Sequence, residues 1–373
     1  MAISARAGSS RPSPFLTKMP DLARLESSPV LRLLVGAAAA GVLLLVLKQL
    51  SPVLVPFLQA AFVAIIAARP VSYLKRHRVP QAAAVAIVIL GLVITFWMLG
   101  IFVTGSVGEM GRELPLYEEK IRSVLAALGA ALRDQGLEVP EGGIEQMLDP
   151  GAVLRFFARS LQQLGGGIAK AIFVLIIVLF ALIEAPKISA RLRATGEHRL
   201  EGFRRLAGIL NRYLLIKTWM SLGTGTTIGL VLAGLGVDFA ALWGLLAFLL
   251  NYIPNIGSLV AAVPAIVLAF LKLGAGGGLA TLVAYVAVNV LFSNILEPRL
   301  MGISLGLSPL VILFSILLWG WVFGITGVFL AVPLTMTVKL LLEAHPDTEQ
   351  IAVLLGSHVE VKAEVLGGPS PSY

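Results

Sequence analysis

The sequence contains no cysteine, which excludes disulfide bonds, thiolate metal sites and cysteine nucleophiles together. Charge is also scarce, because charged residues make up 13% of the 373 residues, whereas an ordinary soluble domain carries about a quarter. Hydrophobic residues make up 57% of the chain, and the mean hydropathy is +0.91. This composition predicts a polytopic membrane protein. The net charge of +8 therefore indicates basic cytoplasmic loops rather than nucleic-acid binding.

Motifs of enzymes and cofactor-binding proteins are missing as well. The histidines fall in predicted loops or tails without metal-ligand spacing, and they are His77, His198, His345 and His358. The glycine-rich stretch LGTGTTIG lacks the preceding strand and the lysine of a phosphate-binding loop. We interpret it as close helix packing through Gly225 and Gly229. The sequence thus predicts no enzymatic activity, no metal site and no cofactor.

Two long apolar runs in the C-terminal half are interrupted by proline and glycine. The run from Leu300 to Val338 carries no charge and is too long for one crossing, which takes about 20 residues. A second broken run covers 239–272, and a GAGGG turn separates it from a predicted span at 279–296. Irregular backbone at membrane depth is tolerated only where it is buried in protein or lines a water-filled cavity, so these runs favour a transport pathway. Whether they are re-entrant hairpins or full spans stays open; as hairpins they would form an inverted repeat with a substrate site near mid-membrane.

The chain is expected to fold as an all-α polytopic membrane protein of about eight transmembrane helices, with a small helical extracytoplasmic subdomain. Basic loops and an acidic excess at 106–164, a segment broken by Pro115, place both termini in the cytoplasm. The expected organisation is a disordered tail at 1–29, spans one to three at 30–105, the subdomain at 106–164, span four at 165–184, a basic connector at 185–216, a transport core at 217–342 and a C-terminal tail at 343–373.

Polar residues inside the apolar runs are candidate site residues, because hydrocarbon penalises them unless they are paired or face water. Asn289, Ser293 and Glu297 are spaced to share one helical face, with Asn294 alongside. Asn251 and Asn255 bracket Pro254, where an unwound turn would free backbone carbonyls. These groups could bind a hydroxylated solute, and Glu297 could also take up a proton. Alternatively, Glu297 pairs with Arg299 or a helix N-terminus. Lys272 is expected to snorkel to the membrane surface.

Three blocks of sequence resemble a known family. GVDFAALWGLLAFLLNYIPNIGSLVAAVPA, NILEPRLMGISLGLSP and WGWVFGITGVFLAVPL occur in the order typical of the autoinducer-2 exporter family, also called the PerM-like permease family. EPRLMG and LLWGWVFG are most similar to its quorum-signal exporter branch. The resemblance implies an inner-membrane protein that forms homo-oligomers. It also carries Glu297 over from the family's sequence blocks and implies backbone-shaping roles for Pro254, Gly257, Pro264, Pro298, Gly302, Gly320, Gly327 and Pro333.

Three functional hypotheses follow. The first is a secondary transporter that exports a small polar signalling molecule such as autoinducer-2, with membrane lipid as its surroundings and possible proton or sodium coupling. The second is a sodium (cation)/proton antiporter in which Glu297 exchanges a proton, since some relatives are linked to that activity. The third is a non-transporting membrane scaffold that acts through 106–164.

Overall fold

The computed structural model describes residues 29–134, 168–194, 197–254, 256–301, 307–344 and 348–356. Within these ranges the regular structure is entirely helical. The helices are α1 (Pro29–Gln49), α2 (Ser51–Arg76), α3 (Gln81–Asp134), α4 (Ile168–Ala194), α5 (Glu197–Leu235), α6 (Ala240–Leu250), α7 (Gly257–Asn289), a π-helical segment (Val290–Leu296), α8 (Glu297–Met301), α9 (Pro309–Phe323), α10 (Ile325–Glu343) and α11 (Glu349–Leu354). The predicted N-terminal tail, 135–164 of the predicted subdomain, Asn255, Gly302 and the end of the C-terminal tail lie outside the described residues.

The chain divides into two units. One ends at Ser51 and contributes α1, while the second begins at Pro52 and contains every helix that follows. In the second unit, α2, α3 and α4 share an apolar core whose buried residues include Ala60, Val85 and Val178. Small side chains at Ala60 and Ala84, both fully buried, let these helices approach closely.

Helix α3 continues well past the end of its apolar part. Its first stretch, Gln81–Glu113, is long and apolar enough to cross a membrane, and the helix then runs on to Asp134. The expected break at Pro115 is therefore wrong. Proline removes one backbone hydrogen bond, but Met110 and Tyr117 lie on either side of it and are both buried in the same core. Burial of one apolar face through Pro115 keeps the helix continuous.

The basic connector is also helical where the structure describes it. Helix α4 extends to Ala194 and α5 begins at Glu197. Helix α5 is therefore a 39-residue helix that begins within the predicted connector and continues into the predicted transport core. Arg69 Nε donates to Asn211 Oδ1 at 3.0 Å, which fastens the start of α5 to the end of α2. We call this end of the second unit the Arg69 end.

The first broken run folds as a helical hairpin, hairpin 1, made of α6 and the first arm of α7 (257–273). Lys272 donates to Asp238, so the two ends of the hairpin lie together. We call this the Asp238 end. The tip reaches Ser221 of α5, to which Asn251 donates at 3.1 Å. Ser221 is about 21 Å along α5 from Leu235, at 1.5 Å per residue. Hairpin 1 therefore enters and leaves from one end and turns deep inside the helices.

Helix α7 is two helices joined by a sharp turn. Gly274 has φ 75° and ψ −170°, a conformation that side-chain-bearing residues rarely adopt. The second arm (275–289) runs back alongside the first, because the hydroxyl of Tyr285 donates to the carbonyl of Ala261 at 3.3 Å. It leads through the π-helical segment into α8. The turn falls within the GAGGG sequence that separates two predicted spans.

The second broken run also folds as a hairpin, hairpin 2, made of α9 and α10. Gly324 forms its tip with φ 64°, and the hydroxyl of Ser308 caps α9 by accepting from the amide of Val311 at 3.2 Å. Trp319 Nε1 donates to Thr335 Oγ1 at 2.9 Å, and that hydroxyl donates to Ser315 Oγ at 2.7 Å, so the arms are cross-linked by buried hydrogen bonds.

The tips of the hairpins pack on each other in the interior. Ile253 of hairpin 1 is buried against Ile316 and Ala331 of hairpin 2. The base of hairpin 2 lies at the Arg69 end, whereas the base of hairpin 1 lies at the Asp238 end. The evidence is that Met336 of α10 packs with Tyr213, which is close to Asn211 in α5. The hairpins therefore enter from opposite ends, which is the geometry that an inverted repeat predicts.

In the described part of the chain, five stretches are long and apolar enough to cross a membrane. They are Ser51–Arg76, Gln81–Glu113, Lys170–Ile188, Gly257–Leu300 and Ile325–Glu343, and shorter apolar helices occur at Leu34–Gln49, Ala240–Leu250 and Pro309–Phe323. The prediction of an all-α fold with broken segments in the C-terminal half is confirmed.

Candidate functional site

A buried ion pair joins α5 to the first residue of α8. Lys217 Nζ donates to both carboxylate oxygens of Glu297, at 2.7 Å and 2.9 Å. The two side chains are only 4% and 14% exposed. A charge is buried at low cost only when an opposite charge or hydrogen bonds compensate it. Each residue therefore accounts for the other's presence in the interior.

A ladder of neutral polar groups lies one helical turn away from this ion pair. Asn251 Nδ2 donates to Ser221 Oγ at 3.1 Å, and Asn251 Oδ1 accepts from Ser293 Oγ at 3.3 Å. Ser221 and Asn251 are buried. The ladder thus connects α5, the tip of hairpin 1 and the π-helical segment. We refer to Lys217, Ser221, Asn251, Ser293 and Glu297 as the polar cluster.

Local helix geometry aligns the side chains of the polar cluster. Lys217 and Ser221 are four residues apart on α5 and so lie on one face, with Thr224 three residues further along. Thr224 is buried, and its hydroxyl has no hydrogen-bond partner among the described residues. On the facing element, Ser293 lies within a π-helical turn, a rare feature that occurs frequently at functional sites.

Tyr252 connects the polar cluster to both hairpin 2 and α2. Its hydroxyl donates to Thr218 Oγ1 at 2.8 Å, next to Lys217 on α5. Its ring lies 5.8 Å from that of Phe62 and 6.5 Å from that of Phe329, measured between centroids. The tip of hairpin 1 therefore has an aromatic contact on each side and a polar contact to α5.

The polar cluster offers donors and acceptors without a net charge. The ammonium group supplies three donors, the carboxylate supplies acceptors, and the hydroxyls and the amide supply both. The positive and negative charges cancel. Such an arrangement suits hydrogen bonding to an uncharged polar molecule.

The structure brings together three of the six predicted site residues. Asn251, Ser293 and Glu297 belong to the polar cluster. Asn289 is half-buried on α7 and Asn294 is exposed on the π-helical segment, and neither makes a side-chain hydrogen bond to the described residues; Asn255 lies outside these residues.

The positions expected to shape the backbone occur at breaks and close contacts. Pro254 lies in the turn at the tip of hairpin 1, and Gly257 begins α7 against the carbonyl of Leu250. In hairpin 2, Gly327 lies against the carbonyl of Trp319, and a Cβ on Gly320 would approach Val328 Cγ2 to 2.8 Å. Pro264 and Pro333 lie inside α7 and α10, Pro298 follows the first residue of α8, and Gly302 lies outside the described residues.

Sequence reasoning missed Lys217 and suggested the wrong partner for Glu297. Glu297 pairs with Lys217 of α5, whereas Arg299 is exposed. Lys217 is the first residue of the predicted transport core, although α5 extends 20 residues before it. One signal in the sequence could have found the pair. Lys217 begins one apolar stretch and Glu297 ends another, and each charge needs an opposite charge if it lies in hydrocarbon.

A second polar group lies at the Asp238 end. Asp238 accepts from both the hydroxyl of Tyr117 and Lys272 Nζ, and its backbone carbonyl accepts from Trp243 Nε1 at 2.9 Å. Lys272, which the sequence predicts to snorkel to the membrane surface, forms an ion pair with Asp238 at the base of hairpin 1. A cavity of about 570 Å³ opens here, lined by Glu113, Leu116, Tyr117, Glu119, Lys120, Ser123, Asp238 and Lys272.

The electrostatics of this second group favour an ionised Asp238 beside a neutral phenol. Burial alone would raise the pKa of Asp238, but the hydrogen bonds from Lys272 and Tyr117 outweigh it, so this pKa lies below its ordinary value. Burial raises the pKa of Tyr117, and the hydrogen bond to Asp238 raises it further. Tyr117 is therefore a hydrogen-bond donor across the neutral range, and it ties α3 to the base of hairpin 1.

The long apolar helices, the two hairpins entering from opposite ends and the polar cluster between them define an all-α polytopic membrane protein of the transporter class. The sequence pattern described as "AI-2E family transporter" matches residues 35–347, and the chain belongs to this family.

Several curated proteins are similar over nearly their whole length. The AI-2 transport protein TqsA of Escherichia coli K12 is 37% identical over 321 residues, covering 84% of this chain and 93% of that protein. A protein of Haemophilus influenzae, named only as a candidate transport protein, is 34% identical over 89% of this chain and 98% of its own length. YhhT of Escherichia coli K12, another candidate transport protein, is 31% identical over 87% and 94%.

Proposed function

We propose that this chain is a secondary transporter of the bacterial inner membrane that exports a small, uncharged polar signalling molecule such as autoinducer-2. Membership of a transporter family supports transport rather than scaffolding or catalysis. The similarity to TqsA, named as an AI-2 transport protein, supports the particular solute. The excess of basic residues in the predicted loops supports cytoplasmic termini. Assembly into homo-oligomers is part of the proposal.

The observation that carries the proposal is the polar cluster at the place where α5, the tip of hairpin 1 and the π-helical segment meet. Asn251 and Ser293 offer an amide and a hydroxyl, and Lys217 and Glu297 offer charged donors and acceptors. A solute with several hydroxyl groups can exchange hydrogen bonds with all of them. In this proposal Asn251, Ser293 and Glu297 line the solute's path together with Lys217.

The ion pair also bears on cation/proton antiport. That hypothesis relies on Glu297 as a carboxylate that is free to exchange a proton for a cation. In the structure Lys217 occupies both oxygens of this carboxylate. Hard cations favour several oxygen ligands, and a neighbouring ammonium group repels them. This observation favours the uncharged solute.

The test measures autoinducer-2 inside and outside a signal-producing host that carries no copy of the protein, the wild type, Asn251→Ala or Glu297→Gln. We expect the wild type to raise the external signal and both variants to reduce export about tenfold or more at matched membrane abundance. Thr95→Val is the matched control, because Thr95 is exposed and its hydroxyl bonds only within its own helix. Equal external signal with the wild type and with no protein contradicts the proposed function.

A further inference from the structure

The charges of the polar cluster add up to zero. Lys217 contributes one positive charge and Glu297 one negative charge, while Ser221, Asn251 and Ser293 are neutral. Among the described residues, the ammonium of Lys217 is the only cationic group paired with Glu297. Arg299 is two residues from Glu297 but is exposed. The site therefore resembles a neutral surface that is rich in strong hydrogen-bonding groups.

Because the polar cluster has no net charge, charged and uncharged solutes differ in the free-energy cost of entering it. A charged solute gives up the solvation of its charge on entering a buried site, and a site without net charge does not compensate that loss. An uncharged solute gives up only hydrogen bonds to water. A hydroxyl group can both donate to the carboxylate of Glu297 and accept from the ammonium of Lys217, and hydrogen bonds to charged groups are the stronger kind.

We propose that Lys217 is a specificity-determining residue: by pairing with Glu297 it restricts the site to uncharged, hydroxyl-bearing solutes and makes transport electroneutral. This inference rests on the proposed function, because it takes the polar cluster as the place where the solute binds. The solute's hydroxyls replace part of the contact between Lys217 and Glu297 on binding. No net charge then crosses the membrane with the solute, and the membrane potential does not drive transport.

Removing Lys217 gives the polar cluster a net negative charge. Lys217→Met leaves the carboxylate of Glu297 buried without its counter-charge. At pH 8, where protons compete least for the carboxylate, a small cation such as sodium is expected to take the place of the ammonium group. The double variant Lys217→Met with Glu297→Gln is uncharged again and has side chains of similar size. It serves as the matched control, because it differs from Lys217→Met by a single carboxylate oxygen replaced with an amide nitrogen.

The first arm of the test uses the purified full chain in liposomes with autoinducer-2. One elementary charge moved across 100 mV corresponds to about 2.3 kcal/mol, or about 50-fold in the accumulation ratio. We expect the wild-type accumulation ratio at 0 mV and at −100 mV to agree within about twofold. A change of tenfold or more overturns the inference, although it leaves transport of autoinducer-2 established.

The second arm needs no solute and follows thermal unfolding as sodium chloride replaces choline chloride at constant ionic strength. We expect the midpoint of Lys217→Met to rise with sodium, while the wild type and the double variant do not respond. A wild type that responds as strongly as Lys217→Met overturns the inference, and so does a Lys217→Met that does not respond. Lys217→Gln, which keeps a donor but no charge, replaces Lys217→Met if that variant does not fold.

The two arms separate this inference from the proposed function. If the wild type moves no autoinducer-2 but the sodium responses are as expected, the proposed solute is wrong and the role of Lys217 in excluding cations holds. If autoinducer-2 crosses but its accumulation follows the membrane potential, the proposed function holds and the inference fails.

Discussion

Lys272 donates a hydrogen bond to Asp238, a residue that precedes it by 34 positions in the chain. The pairing closes the base of hairpin 1 and places its entry and exit at the same end of the second unit. Tyr117 of α3 donates to the same carboxylate. The side chain of Asp238 therefore joins the two ends of hairpin 1 to α3. Its contact on α3, Tyr117, lies just beyond the apolar part of that helix, Gln81–Glu113.

This arrangement predicts a particular pH dependence for Asp238→Asn. Because the folded-state pKa of Asp238 is lowered, its stabilisation is present above its ordinary pKa of about 3.9 and is lost as the pH falls through the lowered value. A partly exposed ion pair contributes about 0.2–1 kcal/mol, so we expect the variant's midpoint of thermal unfolding to lie about 1–3 °C below that of the wild type.

The difference between the unfolding midpoints of the wild type and Asp238→Asn should stay constant from pH 5 to pH 8. It should begin to shrink near pH 4, where this carboxyl takes up a proton in the unfolded wild type, and should vanish once the pH falls below the lowered pKa of the folded protein. Glu109→Gln is the control for loss of a carboxylate, because Glu109 is exposed on α3. A difference that grows or shrinks between pH 5 and pH 8 would show that another group controls this contact.

The crossing of α5 and α6 depends on glycines. A Cβ on Gly244 would lie 2.7 Å from the carbonyl oxygen of Gly225 and 3.0 Å from Gly229 Cα. The close packing predicted through Gly225 and Gly229 is thus confirmed. These neighbouring atoms belong to the backbone, which cannot move aside as a flexible side chain can. Gly244→Ala should therefore lower the free energy of unfolding by about 1–3 kcal/mol.

Thermal unfolding in detergent, with Gly234→Ala as the control, checks this cost. Gly234 also lies in α5, but a Cβ there has no neighbouring atom within 4 Å. Alanine is the better helix former, so Gly234→Ala should leave the midpoint unchanged or raise it slightly. If the two variants unfold at the same temperature, the helices separate at little cost and the crossing is not tightly packed.

The buried hydroxyl of Thr335 holds the arms of hairpin 2 together. It accepts from Trp319 and donates to Ser315, so Thr335→Val leaves both groups without this partner. Hydrogen bonds between membrane helices contribute about 0.6 kcal/mol on average and up to about 1.7 kcal/mol. We expect Thr335→Val to lower the free energy of unfolding by an amount near the upper value, because the substitution removes two hydrogen bonds.

Thr337→Val provides the comparison for hairpin 2. The hydroxyl of Thr337 bonds only to the carbonyl of Pro333 in its own helix, so its loss should lower the unfolding midpoint less than Thr335→Val does. The thermal unfolding of both purified variants is followed by fluorescence. Equal midpoints would mean that the contact between the arms does not contribute to stability.

The sequence predicted the features that depend on neighbouring residues. Composition indicated the membrane class, and glycine and proline marked the interruptions that became the turns at Pro254, Gly274 and Gly324. The helical spacing of Ser293 and Glu297 placed both residues on one side. The resemblance to a family predicted the family to which the chain belongs. Each of these signals lies within a few residues along the chain.

The contacts between distant segments escaped prediction. Lys217 and Glu297 are 80 positions apart, and spacing along one helix gives no information about a partner on another. Asn294 adjoins Ser293 but is exposed, because neighbouring residues on a helix face different directions. Pro115 predicted a break, and the burial of Met110 and Tyr117 in one core overrode that local preference.

The contrast between Asn251 and Asn294 yields a functional prediction. Asn251 is buried and uses both ends of its amide in the polar cluster, whereas Asn294 is exposed. We therefore expect Asn251→Asp to abolish most export, because a carboxylate places a second negative charge near Glu297 and loses the donor to Ser221. Asn294→Asp should retain export within about twofold. Initial rates of autoinducer-2 release at matched abundance compare the two substitutions, which are chemically identical. A larger loss from Asn294→Asp would place the solute's path on the exposed side of the π-helical segment, away from Lys217.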